Sequence, residues 1–78
     1  MQLVVGKTYR AKKPLRRYSL LLGHHYNDRT IIWMGGGRVQ YDGPAVAVGR
    51  HYPSVTEAEF LAWAGEVMED EDEIHADV

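Results

Sequence analysis

Few residues of this chain have the types and spacing that chemistry needs. The two serines are Ser19, inside an apolar run, and Ser54, directly after Pro53. Neither sits in a nucleophile-elbow context, and no spacing pairs either with a histidine base and an orienting carboxylate. The absence of cysteine removes thiol nucleophiles, disulfides and Cys-based zinc sites. His24 and His25, with Asp28 or His51, form the one imidazole–carboxylate grouping that could attract a metal. Adjacent strand residues point to opposite faces, so both histidines reach one ion only if the chain turns there. An exposed polar loop is the simpler reading. Gly35-Gly36-Gly37 has no following Gly-Lys-Ser/Thr and opens no helix, so it reads as a hairpin turn rather than a phosphate cradle. The expectation is a non-enzymatic protein without metal or cofactor.

Charge is the stronger signal. Residues 1–52 carry all nine Lys and Arg against two acids, a balance of +7. Residues 53–78 carry nine acids and no Lys or Arg, a balance of −9. Lys12, Lys13, Arg16 and Arg17 crowd into six positions, flanked by Arg10 and Tyr18. Arg29, Arg38 and Arg50 can join them near the hairpin. Such cations neutralise phosphates with counterion release, and Tyr9, Tyr18, Tyr26, Trp33 and Tyr41 would add stacking surfaces if exposed. Trp33 and Tyr41 also fit core positions. The acids Glu69, Asp70, Glu71, Asp72 and Glu73 read either as a contact for a basic partner or as a solvated tail that offsets the basic face.

The elements that must hold these groups are mostly strands. Seventy-eight residues allow one domain. Leu3–Arg10 is β-branched and aromatic, which predicts a strand. Residues 11–17, broken by Pro14, predict a loop or edge segment. Residues 18–22 predict a short strand, residues 24–29 a turn, and residues 45–48 a further strand. Thr30–Met34 and Arg38–Tyr41 predict a hairpin around the three glycines, with Val39 and Tyr41 on one face. Asp42-Gly43-Pro44 is the next turn.

A helix is predicted from Thr56, where Thr56 and Glu59 form a capping box and Val55 with Phe60 a hydrophobic staple. Its apolar stripe is Phe60, Leu61, Ala64, Val67 and Met68, flanked by Trp63. Gly65 either allows close packing or marks weak helicity beyond it, and the acids that follow oppose the helix dipole, so fraying is expected from Glu69. The implied architecture is mainly β with one C-terminal helix: a small half-open antiparallel barrel capped by the helix. Its alternative is an open sheet with the helix across it. Residues 1–69 form the domain and 70–78 an acidic, disordered tail. Homodimerisation stays open as a way to bury more apolar surface.

Val5-Gly6-Lys7-Thr8-Tyr9-Arg10 resembles the opening strand of SH3-like reader barrels. The strings 26–33, 39–44 and 60–64, in that order, are similar to small bacteriophage and prophage proteins. That resemblance implies a phage accessory protein of the SH3-like class and no catalytic residues. Accessory proteins of this size often occlude a surface of the host machinery, so the expected role is a binding module on a host protein or nucleoprotein complex, with an anti-defence inhibitor as one form. The alternative is nucleic-acid binding by the basic segment 7–17, with the acidic tail as an internal competitor. No apolar run approaches the ~20 residues of a membrane span, and residues 1–9 lack a signal-peptide pattern. A cytoplasmic location follows as an expectation.

Overall fold

The computed structural model describes residues 1–46 and 51–68. The expected strand at positions 45–48 therefore falls partly outside the described residues, as do Arg50 and the tail from Glu69 onward. Ala45 and Val46 lie in a turn closed by Val46 N–H donating to the Gly43 carbonyl at 3.0 Å.

The protein is mainly β with one short helix, as its sequence predicts. Seven strands are described: β1 (Thr8–Ala11), β2 (Arg16–Ser19), β3 (Gly23–Tyr26), β4 (Arg29–Gly35), β5 (Arg38–Asp42), β6 (Ser54–Thr56) and β7 (Ala64–Met68). Helix α1 (Glu57–Trp63) separates the last two. Five strands form an antiparallel sheet in the order β6-β5-β4-β1-β7, while β2 and β3 form a separate two-stranded ribbon. The edge strands β6 and β7 are joined through α1.

The β4–β5 hairpin is the element the sequence predicts best. Gly36 and Gly37 both take positive φ, 58° and 77°, the tight reversal that side chains resist. Val39 is fully buried and Tyr41 packs against the core from the same face. Ile32 is an extra residue where the register shifts between Ile31 and Trp33. One consequence is that Trp33 is 53% exposed, not a core residue.

The core consists of Tyr9, Ile31, Val39, Phe60 and Ala64, with Leu3, Met34, Tyr41, Val55 and Trp63 packed around it. Tyr9 meets Phe60 edge-to-face at 5.5 Å. Its hydroxyl donates to the Gln2 carbonyl at 3.0 Å and accepts from Val4 N–H at 2.8 Å, so the buried polar tip is satisfied. These bonds hold residues 2–4 beside β1 without making them a strand, which begins only at Thr8.

Helix α1 starts as expected. The Thr56 side chain accepts from Glu59 N–H at 3.0 Å, and Glu59 Oε1 accepts from Thr56 N–H at 3.0 Å. Its end differs from the sequence prediction. The helix stops at Trp63, and Ala64 is already extended at φ −73°, ψ 130°. Phe60 and Ala64 are buried at helical spacing, whereas Leu61 and Val67 are exposed, so the expected apolar stripe is cut in half. From Ala64 the backbone pairs with β1 instead, Tyr9 opposite Val67 and Arg10 opposite Glu66. A strand has no end dipole for Glu66 to oppose. Gly65 is the bulged residue where the register shifts between Arg10 and Ala11. A Cβ there would lie 2.7 Å from Lys12 Cα, so Gly65 does allow close packing, and helicity also ends before it.

The other correction concerns residues 16–26. Arg16–Arg17 takes the edge-strand alternative, the expected strand at 18–22 stops at Ser19 with Leu20–Leu22 a turn, and His24–Tyr26 is strand rather than turn. Only Asn27-Asp28 acts as the expected connection, between β3 and β4.

Candidate functional site

The β2–β3 ribbon is fastened to the sheet at its foot. There Arg10 of β1 donates two hydrogen bonds to Asp28, Nε to Oδ1 and Nη2 to Oδ2, both 3.0 Å. The same guanidinium lies 3.9 Å from the Tyr26 ring centre. Its hydrogen bonds to Asp28 hold the Arg10 guanidinium above its ordinary pKa. Arg10 is thus a structural clamp rather than a free contact residue. Both Asp28 oxygens accept from Arg10, and among the described residues Asp28 forms no three-residue metal-type group with His24 and His25.

Above this foot the ribbon is open to solvent. Arg16, Arg17 and Tyr18 on β2 are exposed, as are Lys12 and Lys13 at the foot, so the densest part of the expected basic surface is open to solvent. Tyr18 pairs across the ribbon with His24, their rings 5.0 Å apart. At the tip, Leu20 is 94% and Leu21 91% exposed, with Leu22 also exposed. Leu22 N–H donates to Ser19 Oγ at 3.0 Å, which closes the turn. Three consecutive leucines in water are costly, since burying each is worth about 1.5–3 kcal/mol.

The leucine tip is the functional feature that sequence reasoning missed. The sequence predicts a short strand over residues 18–22, and periodicity over so short a run does not mark a turn. A signal was present: charged or polar pairs, Arg16-Arg17 and His24-His25, flank the leucines on both sides. Ser19 and Gly23 supply turn chemistry at either end, and Gly23 takes φ 70°.

The remaining predicted residues separate. Arg29 is held between two rings, 4.1 Å from the Trp63 centre and 4.5 Å from the Tyr41 centre. Arg38 lies at the opposite end of the sheet, donating to Ser54 Oγ at 3.1 Å and to the Ser54 carbonyl at 3.0 Å. It does not join the basic group. Arg50 lies outside the described residues, as do Glu69, Asp70, Glu71, Asp72 and Glu73. Met68 pairs with Thr8, so the chain leaves β7 at the end of β1 remote from Lys12. Of the stacking candidates, Tyr18 and Trp33 are exposed, Tyr26 and Tyr41 are half-buried under arginines, and Tyr9 is buried.

Both serines have structural duties, Ser19 in the ribbon turn and Ser54 beneath Arg38. Among the described residues no group of three His, Asp or Glu comes together as a metal site, and no helix is long and apolar enough to cross a membrane. A half-open cavity of about 600 Å³ lies at the foot of the ribbon, beside Arg10, Arg29, Tyr41 and Trp63. No family model, curated protein or solved structure matches the chain.

Proposed function

We propose that this protein is a non-enzymatic contact module that binds a protein, alone or within a nucleoprotein complex, through the projecting β2–β3 ribbon. The exposed leucine tip carries the reading. Leucine gains nothing from a phosphate backbone but gains about 1.5–3 kcal/mol in an apolar cleft of a protein. Exposed apolar groups on a surface otherwise rich in charge favour a partner site. Arg16 and Arg17 are exposed on β2, the strand that leads to the tip, so the matching cleft is rimmed by acidic groups. The phage resemblance supports a bacterial host protein as target and an inhibitory, anti-defence role, exerted by occlusion in the host cytoplasm.

The test is co-purification of the full chain from host lysate, with and without nuclease. A stoichiometric protein that survives nuclease treatment, and is lost when Leu20 and Leu21 become serine, supports the proposal. Capture that depends on nucleic acid, or binding to anionic vesicles alone, overturns it.

Nucleic-acid binding is the second reading, supported by the four exposed cations at positions 12, 13, 16 and 17. It requires that Lys12, Lys13, Arg16 and Arg17 changed together to alanine weaken binding and flatten its salt dependence by up to about four phosphate contacts. It also requires that truncation after Met68 strengthen binding, if the acidic tail competes.

A further inference from the structure

The cavity at the foot of the ribbon has a recognition chemistry of its own, independent of the leucine tip. Its volume of about 600 Å³ falls within the roughly 300–1,000 Å³ typical of small-ligand sites. Pro14, Leu15, Val46, Tyr41 and Trp63 give it apolar walls.

Two arginines line it, in different states. Arg10 is saturated by Asp28 through both carboxylate oxygens. Arg29 is clamped face-on between Trp63 and Tyr41, yet no carboxylate or carbonyl among the described residues accepts from its guanidinium. Both clamping rings are themselves fixed, because each packs edge-on against buried Phe60, at 5.2 Å for Trp63 and 5.9 Å for Tyr41. The planar fork of Arg29 is thus held by the core, with its N–H donors left open by the described residues. Arg10 and Asp28 cancel, which leaves Arg29 and Lys13 as the net charges among the described Lys, Arg, Asp and Glu residues that line the cavity.

We propose that this cavity binds a carboxylate carried on an apolar group, with Arg29 as the anchor. A guanidinium fork matches a planar carboxylate through two parallel hydrogen bonds, and the walls suit an apolar body. The same chemistry is offered by a free organic acid and by the C-terminal residue of a peptide.

The test uses the full chain carrying Trp33→Phe, so that Trp63 is the sole tryptophan and reports on the cavity. The probes are N-acetylphenylalanine, its amide, a short peptide ending in phenylalanine, and adenosine monophosphate. The expected result is a saturable fluorescence change with the acid, at least about tenfold weaker with the amide. Arg29→Lys keeps the charge but loses the fork, and should weaken the acid by about tenfold while leaving circular dichroism unchanged. Leu20→Ser should have no effect. A peptide that binds more tightly than the free acid identifies a chain terminus as the source, and equal binding identifies a small acid. No saturable change with the acid, equal binding of acid and amide, tighter binding of adenosine monophosphate, or indifference to Arg29→Lys would each overturn the assignment.

Discussion

Replacing Gly65 by alanine is a perturbation whose sign separates two structures. In the fold described here Gly65 is the bulge of β7, and a Cβ would stand 2.7 Å from Lys12 Cα, 3.0 Å from Lys12 N and 3.1 Å from the Ala11 carbonyl oxygen. All three are backbone atoms, so relief requires β1 and β7 to part. Overpacking of this kind costs about 1–3 kcal/mol. The narrower unfolded ensemble of alanine returns about 0.4–1 kcal/mol. The net is a loss of about 1.5 kcal/mol, which lowers Tm by about 6–12 °C for a chain of this size. Gly65 has no positive φ, so no further backbone strain enters. Had the helix continued to Met68, the same substitution would gain about 1 kcal/mol and raise Tm. Thermal unfolding followed by circular dichroism reads the difference. A Gly65→Ala protein as stable as the parent, or more so, refutes the bulge and the packing of β7 on β1.

Thr56→Ala should cost about 1 kcal/mol in urea unfolding, because it deletes the cap that starts α1. Hydrogen bonds from Thr56, with a contribution from Arg38, hold the Glu59 carboxyl below its ordinary pKa. That stabilisation is present above the unfolded carboxylate value of about 4.3 and disappears as pH falls through the lower folded value. Glu59→Gln should therefore show a stability deficit at neutral pH that closes in acid. Tyr9→Phe should cost about 1 kcal/mol and speed amide exchange at Val4, since it removes the hydroxyl joined to Gln2 and Val4. The Leu20→Ser/Leu21→Ser protein should unfold within about 0.5 kcal/mol of the parent, because neither side chain is buried.

The parts of the fold that follow from local chemistry are visible in the sequence. Gly36 and Gly37 make the β4–β5 reversal, alternation places Val39 and Tyr41 inward, and the Thr56–Glu59 box starts the helix. What is not visible depends on pairing at a distance. Residues 60–68 carry helical spacing, but the backbone groups of β1 need a second partner, and tertiary pairing overrides the pattern after Trp63. Leu20–Leu22 looks like a core strand because periodicity cannot say whether an apolar run has anything to pack against. The cations at positions 12, 13, 16 and 17 group as their spacing suggests, being neighbours in sequence. Arg10, Arg29 and Arg38 do not join them, because each is claimed by Asp28, an aromatic clamp or Ser54, residues 12–34 positions away in the chain.

The most direct measurement compares the affinity of the nuclease-resistant partner for the parent chain and for its Leu20→Ser/Leu21→Ser form at matched fold. Two leucines leaving an apolar cleft forfeit about 3 kcal/mol or more, so Kd should rise by at least about 100-fold while the far-ultraviolet spectrum stays the same. An unchanged Kd would contradict the ribbon tip as the contact surface.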